Sequence, residues 1–336
     1  MATIREVAQR AGVSPASVTR VIGGYPNVSE GLRERVLEAV NAVGYKPDLL
    51  AAGLRRGTSH TVGVIINDIL NPAIAQMVDI IESELRKSGY GVILANSNGD
   101  PANDLPSLLL LGQRRVDAII ASFADDTAED LAAHLSGSTI PIVLLDRKTS
   151  VAGVSAVLTD HYSASCTLTE HLLEMGHTKI ALINGDPSGY PSRERAKGFL
   201  DTLRKNGVSP QEAFQLSHRG SEEFGQSAIA DIFSLPSPPT ALIVGNGNTG
   251  ALAGVLGEIR SRGIVLGRDL ALAASEDGPL ASLHTPPITT LHRDISDFAL
   301  RATRLTLQYL SKETRHHSEI LLPMYLVVRE STNWRL

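Results

Sequence analysis

Apolar residues in the first 45 positions recur with a helical period that glycine interrupts twice. Thr3 is followed three positions on by Glu6, a reciprocal capping pattern. A helix is therefore expected from there, with Ile4, Val7 and Ala8 on one face and Gly12 as its stop. Ser14 as cap and Pro15 at the first helical position restart the chain in a second short helix. Its apolar face is Val18, Val21 and Ile22, and Gly23-Gly24 ends it. Ala8 permits close approach and Val18 plugs the crossing, so the pair reads as a helix-turn-helix. A third helix is predicted after Ser29, striped by Leu32, Val36, Leu37, Val40 and Val43 and ended by Gly44.

Pro47 breaks that helix, and Asp48 is placed to cap a short one running to about Arg55. Its Leu49, Leu50 and Leu54 have no evident core, and alone in water so short a helix is mostly unfolded. From Thr61 the pattern becomes alternating strands and helices. TVGVIIN, YGVILANS, VDAIIAS, IPIVLLD and VSAVLTD are apolar, β-rich runs, and amphipathic segments near 73–88, 103–112 and 127–135 separate the first four. A second series follows: helix 161–175, strand KIALING, helices 192–206 and 222–234, strand TALIVG, helix 249–262 and strand LALAAS. A helix near 295–310 and a strand MYLVVRE return to the two series in turn. The fold class is α/β: a helix-turn-helix head, then two lobes, each a parallel sheet covered by helices. Ligands bind such sheets at the carboxyl ends of the strands, here the cleft between lobes.

The chain's net charge of −5 divides unevenly. Residues 1–60 carry eight Lys/Arg against five Asp/Glu, or +3, leaving −8 for the remainder. Positive charge thus gathers on the helix-turn-helix, as phosphate contact requires. On the second helix Ser17, Thr19 and Arg20 face outward, small or cationic, and suit a major groove. Arg20 is the candidate for a bidentate guanine contact. The single Cys166 lies on an apolar helical pattern and reads as a buried, inert thiol. No apolar run has the length of a membrane span and the N-terminus lacks a secretory segment, so a cytoplasmic protein is expected. GNGNTG lacks the lysine and hydroxyl of a P-loop, His316-His317 has no further ligands at metal spacing, and no nucleophile elbow is present. No cofactor, metal or catalytic residue is assigned.

With TIREVAQRAGVSPASVTRVI, VSEGLRERVLEAVNAVGYKPD, LNP, RRVDAII, PIVLLDR, HLLEMGHTKIALING, SRERAKGF and TPPITTL in this order, the chain resembles bacterial regulators of the lactose-repressor/galactose-repressor family over its full length. The resemblance implies a homodimeric repressor whose affinity for a pseudo-palindromic DNA operator is set by a small molecule. It divides the chain into a DNA-binding domain 1–46, a hinge helix 47–59 and a periplasmic-binding-protein-like domain 60–336. Lobe 1 is then about 60–160 and 292–317, and lobe 2 about 161–291 and 318–336. It makes Pro15 and Ala16 base-reading positions, Ser14, Thr19 and Asn27 phosphate contacts, and Leu54 the hinge leucine that wedges into the minor groove.

In the cleft the resemblance places Asp146, Arg195 and Glu276 at ligand-binding positions, with Asn246 if aligned on the strand or Asn248 if aligned on the following helix. Ala73 and Ile74 stand where many relatives carry aromatic residues, and Gly220 replaces another. A stacking platform for a pyranose or a base is thereby missing. One arginine, two carboxylates and an asparagine still suit a hydroxyl-rich ligand, a sugar or sugar derivative. Two rival readings are weaker. A transporter's solute-binding protein needs a secretion signal in place of the helix-turn-helix, and a cleft enzyme needs a positioned base, nucleophile or metal cluster. A chain that stops six residues after Glu330 has no room for a C-terminal heptad helix, so a dimer is expected rather than a tetramer.

Overall fold

A computed structural model describes residues 2–23, 25, 27–45, 58–209, 214–218, 220–245, 250–311 and 317–333. The chain divides into two units, Met1–Ser59 and His60–Leu336. The first holds α1 (Ile4–Ala11), α2 (Pro15–Ile22) and α3 (Glu30–Val43). The capping box forms as the sequence predicts: Thr3 N donates to Glu6 Oε2 at 3.0 Å and Glu6 N to Thr3 Oγ1 at 3.4 Å. Gly12 turns the chain with φ 66°, a left-handed conformation that favours glycine. Val7, Ala8, Val18, Val21, Val36 and Ala39 close a small shared core. Leu37 departs from the predicted stripe and is exposed, because Val36 and Ala39 turn the buried face of α3 past it. The expected helix at 48–55, with Leu54, lies outside the described residues.

In the second unit, lobe 1 is a six-stranded, wholly parallel sheet ordered β11-β5-β4-β3-β1-β2. Its strands are β1 (Thr61–Ile66), β2 (Gly91–Asn96), β3 (Ala118–Ala121), β4 (Ile142–Leu145), β5 (Ser155–Thr159) and β11 (Glu319–Leu322). Because strand side chains alternate, Val62, Val64 and Ile66 meet α4 (Pro72–Lys87) and α12 (Ile295–Leu310), while Ile65 meets α5 (Asp104–Gln113) and α6 (Glu129–Gly137) on the opposite face.

Lobe 2 has the order β12-β10-β9-β8-β6-β7, parallel except for the β10–β12 pair. It comprises β6 (Ile180–Asn184), β7 (Phe214–Ser217), β8 (Ala241–Val244), β9 (Ala271–Ala274), β10 (Thr289–His292) and β12 (Tyr325–Val327). Helices α7 (His161–Glu174) and α8 (Tyr190–Lys205) cover one face, α9 (Glu222–Ser234) and α10 (Gly250–Ser261) the other, and a short α11 (Pro279–Ser282) follows β9. Helices α9 and α10 meet backbone to backbone: a Cβ on Gly254 would fall 2.0 Å from Glu222 O, and one on Gly225 2.2 Å from Ala251 O.

The chain passes between lobes after β5, after β10 and after β11. The expected assignment of 318–336 to lobe 2 is corrected here. β11 pairs in parallel with β5, Glu319 opposite Ala156, and the chain reaches the second sheet only at Tyr325. The strands β7, β10 and β11 were not anticipated. Of the His316-His317 pair, His316 is outside the described residues and His317 bonds through Nδ1 to Val154 O, holding the start of β11. Cys166 is only partly buried, with Sγ 3.6 Å from Gly198 O.

Candidate functional site

On the first unit, α2 presents the predicted surface. Pro15, Ala16 and Arg20 are exposed, as are Ser14 and Asn27, whereas Ser17 and Thr19 are half-buried. Three hydroxyls are already engaged: Ser14 Oγ caps the helix by accepting from Ser17 N at 3.1 Å and lies 3.0 Å from Ser17 Oγ, and Thr19 Oγ1 donates to Pro15 O at 3.0 Å. Arg20, in the last turn of α2, has no hydrogen-bond or ion-pair partner among the described residues. That leaves an exposed guanidinium on the same short helix as the small apolar side chains of Pro15 and Ala16.

In the second unit a cavity of about 410 Å³ opens between the lobes. Lobe 1 lines it with the residues that follow β1, β3 and β4, among them Asn67, Ser122, Asp146 and Arg147, and with Ile74 from α4. Lobe 2 contributes Ser192 and Arg195 from α8, Gly220 and Ser221 before α9, and Glu276 after β9. The structure therefore brings Ile74, Asp146, Arg195 and Glu276 together. Asn246 and Asn248 lie outside the described residues. Sequence reasoning passed over Asn67, Arg147, His161 and Arg293, which line the same cavity. Position at a strand end would have flagged Asn67 and Arg147; Arg293 is 147 residues from its partner Asp146 and carries no local signal.

Asp146 sits where two of the three passages between lobes, those after β5 and after β10, converge. It takes φ 49°, accepts from Thr159 N at 2.7 Å, pairs with Arg293, and lies 3.4 Å from His161 Nε2. Burial alone would raise its pKa, but the His161 ring, the Arg293 guanidinium and the Thr159 bond outweigh this and hold the carboxyl well below its usual range. Burial pushes His161 the other way, below its ordinary value, against the pull of the Asp146 carboxylate. Arg293 also donates to Thr159 Oγ1 at 3.2 Å and stands 5.0 Å over the Phe298 ring.

Arg147 is buried and donates to Phe123 O and, at 2.6 Å, to Asp146 O. Arg195 is 3% exposed and donates to Asn184 Oδ1 at 3.1 Å and Ser192 Oγ at 3.3 Å. Burial lowers its pKa to about 10 against the pull of Glu276, so it stays charged. Glu276 Oε2 and Asn67 Oδ1 are buried without a hydrogen-bond partner among the described residues. At the rim, Asp126 of lobe 1 clasps lobe 2, pairing with Arg193 at 2.7 Å and accepting from Tyr190 N at 3.2 Å.

A helix-turn-helix unit with an unpaired arginine on its second helix, in one chain with a two-lobed unit around a polar cleft, defines a ligand-responsive DNA-binding regulator. Comparison with known proteins gives the particular family. Residues 3–48 match the bacterial regulatory proteins of the lacI family, and 169–332 match the periplasmic binding protein-like domain. Catabolite control protein A of Priestia megaterium is 30% identical over 333 residues, covering 98% of this chain and 99% of that one. The ribose operon repressor of Escherichia coli K12 is 28% identical over 334 residues, covering 98% and 100%. Among solved structures, the lac repressor dimer bound to operator and the anti-inducer ONPF superposes with a TM-score of 0.83 at 25% identity, covering 98% and 99%. The chain belongs to the lacI family of bacterial regulatory proteins. It is a DNA-binding regulator of transcription, as its relatives are, and not an enzyme. Among the described residues no helix is long and apolar enough to cross a membrane.

Proposed function

We propose that the chain is a cytoplasmic, homodimeric repressor that binds a pseudo-palindromic operator, and that a small sugar or sugar derivative in the interlobe cleft controls that binding. The observation that carries this reading is the cleft itself: about 410 Å³, with Asp146, Arg195 and Glu276 around it and the buried Asn67 Oδ1 and Glu276 Oε2 lacking partners. Buried polar atoms without partners are costly, and a hydroxyl-rich ligand supplies what they lack. The similarity to a ribose operon repressor and to an operator-bound dimer supports the ligand class and the assembly. Residues 1–46 serve as the DNA-binding domain, with Pro15 and Ala16 against bases, Arg20 on guanine, Ser17 on the face in the major groove, and Ser14, Thr19 and Asn27 along phosphates. Residues 47–59 serve as the hinge carrying Leu54, and 60–336 as the effector domain, where Ile74, Asp146, Arg195, Glu276 and either Asn246 or Asn248 contact the effector.

The test is a thermal-shift screen of sugars, sugar acids and nucleosides, followed by operator titration with and without the hit. A ligand at a hundredfold over its Kd adds about 2.7 kcal/mol of stability. A hit that leaves operator affinity unchanged would refute the regulatory reading.

A further inference from the structure

His161 opens α7 directly after the first passage between lobes and is 3% exposed, yet neither ring nitrogen has a hydrogen-bond partner among the described residues. Asp146 Oδ2 lies 3.4 Å from Nε2, and Tyr190 packs edge-on with centroids 6.2 Å apart. The ring lines the same cavity as the unpartnered Asn67 Oδ1 and Glu276 Oε2. Those two oxygens only accept, so a molecule that satisfies them must present donors. A hydroxyl group both donates and accepts, so it meets an imidazole nitrogen whether or not that nitrogen carries a proton.

Charge around the cavity narrows the class further. Arg293 is committed to Asp146, and Arg147 to the carbonyls of Phe123 and Asp146. Arg195 faces Glu276, so an anionic ligand would be set against a buried carboxylate oxygen that lacks any partner. Phe298, the phenylalanine among the described residues of the cavity wall, has the Arg293 guanidinium 5.0 Å over its ring, so this ring offers a base little open face for stacking.

We propose that His161 is a specificity-determining contact that reads a hydroxyl group of an uncharged polyhydroxy effector, a free sugar or sugar alcohol, and that the cleft discriminates against sugar phosphates and sugar acids. The inference rests on the cavity being the effector site. Titration calorimetry on the full chain tests it with D-ribose, ribitol, D-glucose, D-galactose and cellobiose against ribose 5-phosphate, glucose 6-phosphate, gluconate and adenosine. The expected result is binding of at least one uncharged compound, with its anionic counterpart at least tenfold weaker. His161→Ala then weakens the uncharged ligand about tenfold, and His161→Asn, which keeps a donor and an acceptor, by about threefold. Equal affinity in wild type and both variants, with binding still lost in Glu276→Ala, overturns the role of His161 and leaves the cleft reading standing. Tighter binding of an anionic compound or of adenosine overturns the ligand class. Binding of no compound in the panel overturns the sugar reading and this inference with it. Should His161→Ala fail to fold, His161→Asn and the wild-type panel still decide.

Discussion

Replacing Asp146 by alanine should cost the large unit about 3–5 kcal/mol, the range for removing one partner of a buried ion pair. Both partners are well inside, with side chains 12% and 10% exposed for Asp146 and Arg293. Loss of the carboxylate leaves the guanidinium with Thr159 Oγ1 and the Phe298 face, and strips Thr159 N of its acceptor. Against a total of about 5–15 kcal/mol, that is a large share of the stability. With m about 3 kcal/mol/M, the urea midpoint followed by far-UV circular dichroism should fall by about 1–1.7 M. Arg293→Ala removes the stranded charge, so the double variant should be about 2 kcal/mol more stable than the sum of the singles predicts. Acidity supplies a signed check. The folded pKa of Asp146 is depressed, so its contribution is full above the unfolded value of about 3.9 and fades as pH falls below it. The gap between wild type and Asp146→Ala should therefore narrow below about pH 4. Singles that add within about 0.5 kcal/mol, or a gap that widens in acid, would refute the argument.

Three further outcomes are expected. Arg20→Ala should cost about 1–3 kcal/mol at the operator and relax base preference there; fluorescence anisotropy on single-base operator variants reads this, and unchanged discrimination removes Arg20 from the readout. Gly254→Ala would ordinarily favour a helix by about 1 kcal/mol, but a Cβ 2.0 Å from Glu222 O forces α9 and α10 apart, so a net loss of about 1–3 kcal/mol is expected. A rise in Tm would show that the two helices part freely. Arg329 grips both oxygens of Asp277 at 2.9 Å and should cost about 1–3 kcal/mol on change to alanine. Burial raises the Asp277 pKa, but Arg329 outweighs it and the net shift is downward, so this penalty is present at neutral pH and shrinks as pH falls through the folded pKa. A penalty independent of pH would break the assignment.

Local grammar carried most of the fold. The capping box at Thr3, Pro15 at the start of α2 and Gly12 at φ 66° are signals complete within a few residues, so α1 and α2 were legible outright. Apolar runs announced the central strands. What escaped were FQLS, TTLH and EILL: strands of four residues each, one of them with two buried threonines and two at sheet edges, too short for an alternation to show. The missed β11 also displaced the expected lobe boundary. In the cleft, family positions picked out Asp146, Arg195 and Glu276, whereas His161 and Arg293 become site residues only because the passages between lobes bring them to Asp146. No periodicity encodes such a meeting.

The interleaving of the lobes also sets a timetable for synthesis. β1–β5 leave the ribosome first, but the apolar face that Met77, Ile81 and Leu85 present is covered by Phe298, Ala299, Ala302 and Leu305 of α12. Those residues follow the whole of lobe 2 up to β10, and the edge partner of β5 comes later still, at Glu319–Leu322. At about 5–20 residues per second, the first lobe waits roughly 8–30 s with that side of its sheet covered by α4 alone. For that interval the nascent chain offers a sticky surface to whatever is near, which makes it a natural client for a chaperone that shelters growing polypeptides.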